Sequence, residues 1–249
     1  MSELVHVSDD GPIRIIRMNR AEKKNALTMA MYDAMAAGIE GAGNANARCL
    51  LIGGAPTAFC AGNDIGDFIA SASQGGELGA PILRFLYALA RCELPLVAAV
   101  QGNAVGVGTT MLMHCDHVVA STEARFSTPF VSLGLVPEAA SSLIAPGLMG
   151  QARAFALLVM GRPLNADDAK ASGLVNTIAA ADAVEGEAMK AAREIAALPP
   201  QGVLASRRLL RGGAEEIVAR INQEAEVFKT RLQSAEAQAA FTAFMTRKK

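Results

Sequence analysis

The sequence has no tryptophan and only two tyrosines, and its aromatic fraction is 4%. We therefore expect an interior filled by aliphatic side chains and alanine, because hydrophobic residues make up 51% of the chain. No excess of charge exists either, since the net charge is −1 and the pI is about 6.3. This balance supplies no basic field that could grip nucleic acid or anionic lipid. We expect neither kind of partner.

Long apolar runs and paired cysteines are also missing. No segment approaches the ~18 consecutive apolar residues of a membrane span, and MSELVHVSDD at the start has no apolar run of the signal type. The cysteines are scattered, without a CxxC spacing: Cys49, Cys60, Cys92 and Cys115. We therefore expect a reduced, cytoplasmic compartment.

One short cluster, from His114 to His117, has residue types that bind metals. The two histidines are spaced i,i+3, which a metal could use on a continuous helix. The apolar run from Val118 to Ala120 instead predicts a strand, which would send the two side chains to different faces. We interpret them as packed residues at the edge of the core and predict no metal site.

Strand and helix signals alternate through the first two thirds of the chain, which predicts βα units and a largely parallel sheet. An antiparallel hairpin is expected first, and Thr28 is a plausible N-cap for the first helix. From Ala139 onward the pattern is nearly all helical. We expect an α/β core over residues 1–198 and a helical region over 199–249. The segments behind these expectations are Leu4–Val7, Ile13–Met18, Met29–Ile39, Cys49–Ile52, Pro81–Cys92 and Ala214–Leu232.

The stretch from Pro95 to Asp116 is the one around which the rest of the chain is expected to be arranged. Leu96–Val100 predicts a buried strand, Gln101–Asn103 a turn, and Thr109–His114 the start of a helix beyond a glycine-rich segment. A chain that passes through glycines into a helix leaves the first helical N–H groups unpaired. Such groups can hold a phosphate, a carboxylate or a developing oxyanion.

Three interpretations of these glycines compete. A P-loop is excluded because no GK[ST] follows. A dinucleotide site stays open: Gly106 and Gly108 begin a G-x-G-x-x-G pattern and Glu123 lies near the distance of a ribose-binding acid, although Met111 replaces the third glycine. The third interpretation is purely structural, with small residues that allow close helix packing.

Two further features favour a functional site. The segment FCAGNDI, residues 59–65, also presents small residues and backbone amides after a strand, and so offers a second donor. Glu138, in LGLVPEAASSL, is a carboxylate among apolar and small residues. It could compensate the dipole of a helix beginning near Ala139. It could equally be a base whose proton affinity is raised by apolar surroundings.

Five segments follow one another along the chain: NRAEKKNAL, FCAGNDIGDF, the stretch Ala98–Gly108, ARFSTPFVSLGLVPE and GRPLNADDAKASGLV. In this order they resemble the crotonase family, the enoyl-CoA hydratase/isomerase superfamily, along essentially the whole chain. The resemblance implies an α/β spiral of ββα units and a helical C-terminal oligomerisation region that builds trimers or dimers of trimers. It also implies an acyl-CoA thioester as ligand.

The same resemblance implies particular site residues. Two backbone N–H groups hold the thioester oxygen in this family, and they match Asn63 and Val107 here. The coenzyme A groove is implied to run along backbone groups, and Lys23 or Lys24 to meet a phosphate, although two lysines on a solvated loop are an equal alternative. The implied groove residues are Ala26, Leu27, Ala61, Asp64 and Ile65.

Departures from the family pattern reduce the number of reactions that we expect the protein to catalyse. Hydratases of this family use two glutamates, and the matching positions here are Thr110 and Phe130. Ala21 and Gln101–Asn103 are smaller departures. The segments AGND and TPFVSLGLVPE instead resemble peroxisomal-type 3-enoyl-CoA to 2-enoyl-CoA isomerases, which place a single glutamate where Glu138 stands.

We therefore expect an isomerase in which Glu138 moves a proton from C2 to C4. Phe130 is expected to be an apolar wall that lines the substrate site and keeps water away. No metal or redox cofactor is expected, since coenzyme A is part of the substrate. The alternatives are hydration with unusual groups, thioester hydrolysis, and a non-catalytic acyl-CoA-binding protein.

Overall fold

The computed structural model describes residues 3–55, 58–64, 66 and 78–247. Ile65 and the loop expected at Gly75–Gly76 lie outside these described residues. A six-stranded sheet dominates, in the order β1-β2-β3-β4-β6-β9, with β1 and β2 antiparallel and every other neighbour parallel. Its strands are β1 Val5–Asp10, β2 Ile13–Met18, β3 Cys49–Gly53, β4 Leu96–Val100, β6 His117–Ser121 and β9 Thr177–Ala179.

A second, three-stranded sheet lies beyond the end of β4. β5 (Asn103–Val105) pairs in parallel with β7 (Arg125–Ser127), which pairs antiparallel with β8 (Leu164–Asn165). The two sheets and the helices form the mixed α/β architecture expected from the crotonase resemblance. The helices are α1 Met29–Glu40, α2 Ala80–Arg91, α3 Val107–Thr110, α4 Ser141–Met149, α5 Gln151–Leu158, α6 Ala166–Ala171, α7 Val184–Ala197, α8 Pro200–Arg211, α9 Ala214–Leu232 and α10 Ala235–Arg247.

Both faces of the large sheet are covered, as its continuous apolar strands require. Every residue of β3 and β4 is buried. Alternate residues of β3 point to opposite faces, so Cys49 and Leu51 pack beneath α7 while Leu50 and Ile52 belong to the larger cluster on the other face. The first helix on that larger side begins as expected, because Thr28 accepts a hydrogen bond from Met31 N at 3.3 Å.

Several local expectations were wrong. Residue Asn103, expected in a turn, begins β5, because its backbone pairs with β7. The helix expected from Thr109 begins at Val107 and continues as a 3-10 turn over Met111–His114. The region after Ala139 is nearly all helical, as expected, and its two short strands β8 and β9 join the two sheets.

The helix expected near Ala139 begins at Ser141 instead. Ala139 and Ala140 both have left-handed backbones, with φ of 61° and 55°. Such a conformation costs alanine about 1–2 kcal/mol because its Cβ approaches the carbonyl oxygen. Glu138 therefore lies in a turn ahead of the helix and does not occupy its first turn.

The long C-terminal helix α9 has the predicted bounds, and its predicted apolar stripe faces the core: Ile217, Ile221 and Phe228 are buried. The expected division at residue 198 stays a prediction; α7 ends just before it. None of the helices described here is long and apolar enough to cross a membrane.

His114 is a packed core residue. Its Nε2 lies 2.8 Å from Ala139 O and its Nδ1 lies 3.1 Å from an Arg211 nitrogen, so the neutral ring donates to the carbonyl and accepts from the guanidinium. Burial, followed by the charge of Arg211, lowers the pKa of His114 to about 4. His117 lies on β6 with a different partner, Thr177. Among the described residues no cluster of His, Cys, Asp or Glu is arranged to hold a metal ion.

Close backbone approach at Gly108 yields a stability prediction. A Cβ at this position would lie 2.8 Å from both the Cβ and the carbonyl oxygen of Cys60. We expect Gly108→Ala to lower the free energy of unfolding by about 1–3 kcal/mol through overpacking. Urea unfolding measures the change.

The matched control is Gly186→Ala on α7, where an added Cβ meets nothing within 4 Å. This substitution should raise the free energy of unfolding by about 0.5–1 kcal/mol, because alanine loses less backbone entropy in a helix. Equal effects of the two substitutions would contradict the close approach at Gly108.

Candidate active site

The first candidate donor is the backbone amide of Val107, the first residue of α3. Gly106 turns the chain with φ of 56°, and its own N–H donates to Ser127 O at 2.8 Å. The amides of Thr109 and Thr110 donate to Gly106 O. Within the described part of the chain, no hydrogen-bond acceptor is assigned to Val107 N. This is the unpaired helix-start amide that the glycine pattern predicts.

The second candidate donor is the backbone amide of Asn63. Its segment runs alongside residues 24–27: Ala61 N donates to Lys24 O at 2.9 Å, and Leu27 N donates to Gly62 O at 2.8 Å. The next amide, that of Asp64, donates to Leu27 O at 2.9 Å. Asn63 N itself has no assigned acceptor among the residues described.

Backbone pairing joins the two donor segments. Cys60 N donates to Asn103 O at 3.0 Å, and Val105 N donates to Cys60 O at 2.9 Å. Gly62, with φ of 91°, lies so near β5 that an added Cβ would be 3.0 Å from Val105 O. These backbone bonds fix each segment within a few residues of its unpaired amide. The two turns that bear the amides therefore adjoin each other.

A cavity of about 150 Å³ lies against these turns. Most of its wall is apolar, and it includes the predicted wall residue Phe130, which is 6% exposed. Two phenylalanines from the C-terminal helices complete it. The lining residues are Ala61, Gly62, Asn63, Val105, Gly106, Pro129, Phe130, Leu133, Leu135, Phe228 and Phe241.

Glu138 is buried next to α3, with an exposed fraction of 3%. Thr110 Oγ1 donates a hydrogen bond to Glu138 Oε1 at 2.5 Å. Burial raises the pKa of Glu138 to about 8; the Thr110 bond lowers it and the charge of Glu224 raises it further. A carboxyl with this pKa can both take and return a proton near neutral pH.

Glu138 contacts the helical turn that bears the Val107 amide, although it does not line the cavity. Its partner Thr110 is in the same helical turn as Val107. On the other side, the Tyr32 hydroxyl donates to Asn63 Oδ1. Burial, and then the charge of Glu138, raise the pKa of Tyr32, so that carboxyl lies within electrostatic reach of the group holding Asn63.

The residues expected to form a coenzyme A groove are partly brought together. Lys24, Leu27, Ala61 and Asp64 meet through the backbone bonds between residues 24–27 and 61–64. The Lys24 side chain is exposed, whereas that of Leu27 is buried in the core. Ala26 is partly buried on the same loop.

Sequence reasoning missed two residues that hold these two segments together. Arg20 donates to Ala26 O at 2.9 Å and to Asp64 Oδ2 at 2.7 Å. Asn25, fully buried with φ of 55°, donates to Ala58 O and Phe59 O. The segment NRAEKKNAL contains both residues, but nothing in their spacing indicates these partners.

The model of the enoyl-CoA hydratase/isomerase family matches residues 9–249. The chain belongs to this family of enzymes.

Its relatives include isomerases. The chain is 36% identical to enoyl-CoA delta isomerase 2 of Rattus norvegicus over 99% of its own length and 64% of the relative's. It is 31% identical to the peroxisomal enoyl-CoA delta isomerase 3 of Mus musculus over 89% of this chain and 71% of that one. Thus the chain spans less than two thirds of the rat relative.

A solved structure supports the fold. The crystal structure of an enoyl-CoA hydratase/isomerase from Pseudoalteromonas atlantica T6c superposes with a TM-score of 0.92 at 41% identity, covering 98% of each chain. The architecture described above is therefore that of the family.

The raised pKa of Glu138 predicts a pH-dependent stability difference. The pKa of Glu138 is about 8 in the folded protein, and its ordinary value is 4.5. Because the folded state disfavours the ionised carboxylate, the free energy of unfolding falls progressively as the pH rises from about 4.5 to about 8. Glutamine cannot ionise. We expect the melting temperature of Glu138→Gln, relative to wild type, to be higher at about pH 9 than at about pH 5.

Calorimetry at both pH values measures this difference. Glu226→Gln is the control because Glu226 is exposed on α9. An offset between Glu138→Gln and wild type that does not change with pH would contradict the raised pKa.

Proposed function

We propose that this protein is an acyl-CoA isomerase that moves the double bond of a 3-enoyl-CoA into conjugation as a 2-enoyl-CoA. One observation carries the proposal: a buried carboxyl of raised pKa, that of Glu138, is bonded to the helical turn that bears the unpaired Val107 amide, and this turn adjoins the one that bears the unpaired Asn63 amide. The isomerase relatives at 31% and 36% identity support it.

In the proposed reaction the thioester oxygen accepts hydrogen bonds from Asn63 N and Val107 N. Removal of a C2 proton sends the electron pair of the C–H bond toward that oxygen, giving a dienolate. Each fixed donor is typically worth about 3–4 kcal/mol where such charge develops. The cost of removing a carbon-bound proton falls accordingly.

Glu138 is the proposed base and acid. Its carboxylate takes the proton from C2, and the resulting acid returns it to C4 as the double bond forms between C2 and C3. Atoms and charge balance without water, metal or redox cofactor. Because Glu138 does not line the cavity described above, the proposal requires its carboxyl to lie beside C2 and C4 when acyl-CoA is bound. A liganded structure measures both distances.

Hydration is the competing reaction within the family. Adding water across the double bond needs groups that activate the water and protonate the α-carbon. Thr110 stands at one position where the resemblance places a hydratase glutamate, and its hydroxyl is bonded to Glu138. Phe130 stands at the other and is part of the apolar wall. Neither side chain replaces a carboxylate, and this favours isomerisation.

The coenzyme A moiety is proposed to lie along residues 24–27 and 61–64. Lys24 is proposed to meet a phosphate, and the segments that contain Ala26, Leu27, Ala61 and Asp64 are proposed to line the adenine and pantetheine. A homotrimer or dimer of trimers and a cytoplasmic location remain part of this proposal.

Glu138→Gln tests the base. With a 3-enoyl-CoA, wild-type kcat/KM should rise with pH and level off above the pKa of Glu138, about 8, because the carboxylate must accept the first proton. Glu138→Gln should show no turnover. In deuterated buffer, wild-type enzyme should form the 2-enoyl-CoA without net addition of water, and any deuterium that enters should be found only at C2 or C4.

Other outcomes discriminate the alternatives. Retained turnover in Glu138→Gln would remove this residue from the mechanism. Accumulation of a 3-hydroxyacyl-CoA would indicate a hydratase, and release of free coenzyme A a hydrolase. Tight acyl-CoA binding without any exchange would indicate a non-catalytic binding protein.

Val107→Pro tests the amide donor. Val107 is the first residue of α3, where proline fits a helix and removes only an N–H that would be unpaired. We expect kcat to fall about 10²–10³-fold, the usual cost of losing one such donor. Val107→Ala, which keeps the N–H and loses only side-chain volume, is the control. Equal activities of the two variants would exclude Val107 N from the oxyanion site.

A further inference from the structure

Glu224, on helix α9, is a buried carboxylate for which the reaction above has no use. It is 7% exposed and lies 86 positions along the chain from Glu138. Neither composition nor spacing singles it out, because it stands among the charged residues of a long amphipathic helix. Its contacts place it against the turn that follows Glu138.

Both carboxylate oxygens of Glu224 are used. Oε2 accepts a hydrogen bond from Ala140 N at 2.6 Å. Oε1 accepts from Ser142 N at 3.0 Å and from Ser142 Oγ at 2.5 Å. Two of these donors are backbone amides at the start of α4, so Glu224 caps that helix from a distant part of the chain.

This turn needs such support. Ala139 and Ala140 are consecutive left-handed alanines, and α4 has no N-cap side chain of its own because Ala140 occupies that position. Conformations of this kind persist only where surrounding contacts impose them. Glu224 bonds one end of the turn, and the His114 ring bonds the carbonyl of Ala139.

The same helix supports the rest of the loop that bears Glu138. Phe228, one turn beyond Glu224, lines the cavity. Arg231, in the following turn, donates from Nε to Gly134 O at 3.0 Å. α9 thus contacts the loop on both sides of Glu138, at Gly134 and at Ala140.

We propose that Glu224 is a positioning residue: it clamps the turn after Glu138 and thereby sets where the Glu138 carboxyl lies relative to the two amides. This inference rests on the proposed function, since it assigns Glu138 as the group to be positioned. Glu224 touches no substrate. It acts through the backbone of Ala140 and Ser142.

Charge gives Glu224 a second effect on the same site. Its carboxylate raises the pKa of Glu138 by like-charge repulsion. The charged group facing Glu224 on its own helix is Arg220, whose Nη1 lies 3.4 Å from Ser142 Oγ.

Three charged residues on the neighbouring helices α2 and α10 form ion pairs with residues other than Glu224. Arg84 and Arg91 of α2 pair with Asp33, Glu40 and Glu215, and Glu236 of α10 pairs with Arg231. Removing the charge of Glu224 should therefore lower the pKa of Glu138.

Two variants separate the position of Glu224 from its charge. Glu224→Gln keeps the shape but has one acceptor oxygen and no charge. We expect kcat to fall about 10–100-fold, since a displacement of about 1 Å costs that much, with KM little changed. The acidic limb of its pH–rate profile should move to lower pH. Glu224→Asp keeps the charge and loses reach, so its kcat should fall while the limb stays in place.

Glu226→Gln, an exposed neighbour on α9, is the matched control and should behave as wild type. Ser142→Ala removes a single bond and should give a smaller fall in kcat. If Glu224→Gln does not fold, Ser142→Ala provides the test. The proposal is overturned if the kinetics of Ser142→Ala equal those of Glu226→Gln. A folded Glu224→Gln with wild-type kcat and an unmoved limb overturns it as well.

Hydrogen exchange distinguishes failure of this inference from failure of the proposed function. The amides of Ala140 and Ser142 should exchange faster in Glu224→Gln than in Glu226→Gln, whatever reaction the protein catalyses. Unchanged exchange at both amides would contradict the proposal that Glu224 holds this turn. Turnover retained by Glu138→Gln removes the proposed base and leaves the exchange result standing.

Discussion

The close backbone contact between residues 60–62 and 103–108 is the constraint on which the site depends. Cys60 bonds to Asn103 and Val105 on β5, and an added Cβ at Gly108 would collide with Cys60. The two candidate donor amides lie at this contact: Asn63 is the residue after the first segment, and Val107 belongs to the second. A side chain at Gly108 would separate the segments, and hydrogen-bond donors on separated segments could not converge on one oxygen atom.

Much of the architecture could be predicted from the sequence because its patterns are local. Alternating residues identified the first hairpin, and a 3.6-residue period gave α9 its bounds. The sheet pairing of Asn103 and the left-handed backbones of Ala139 and Ala140 could not be predicted, because distant strands, His114 and Glu224 impose them. Local propensity describes none of these partners.

The same distinction holds for the site. The glycine-rich segments predicted the amide-bearing turns, and their backbone geometry agrees with that prediction. Glu138 stood out because it is a carboxylate among apolar residues, and burial does raise its pKa. Tyr32 and Glu224 escaped notice as neighbours of the site, because hydroxyls and acids on helices are ordinary in sequence. Thr110 was noted only at the position of a hydratase glutamate and not as a partner of Glu138. Only the folded chain shows that they meet Asn63, Glu138 and its turn.

Helix α9 supplies both a wall of the cavity and the cap of α4, which has a consequence for heat inactivation. Segments of a protein open locally with free energies well below that of global unfolding. If the C-terminal helices detach first, Phe228 and Glu224 leave together while the six-stranded sheet persists. Loss of enzymatic competence would then precede the cooperative melting of the sheet, and circular dichroism of an inactivated sample would still report most of the native strands.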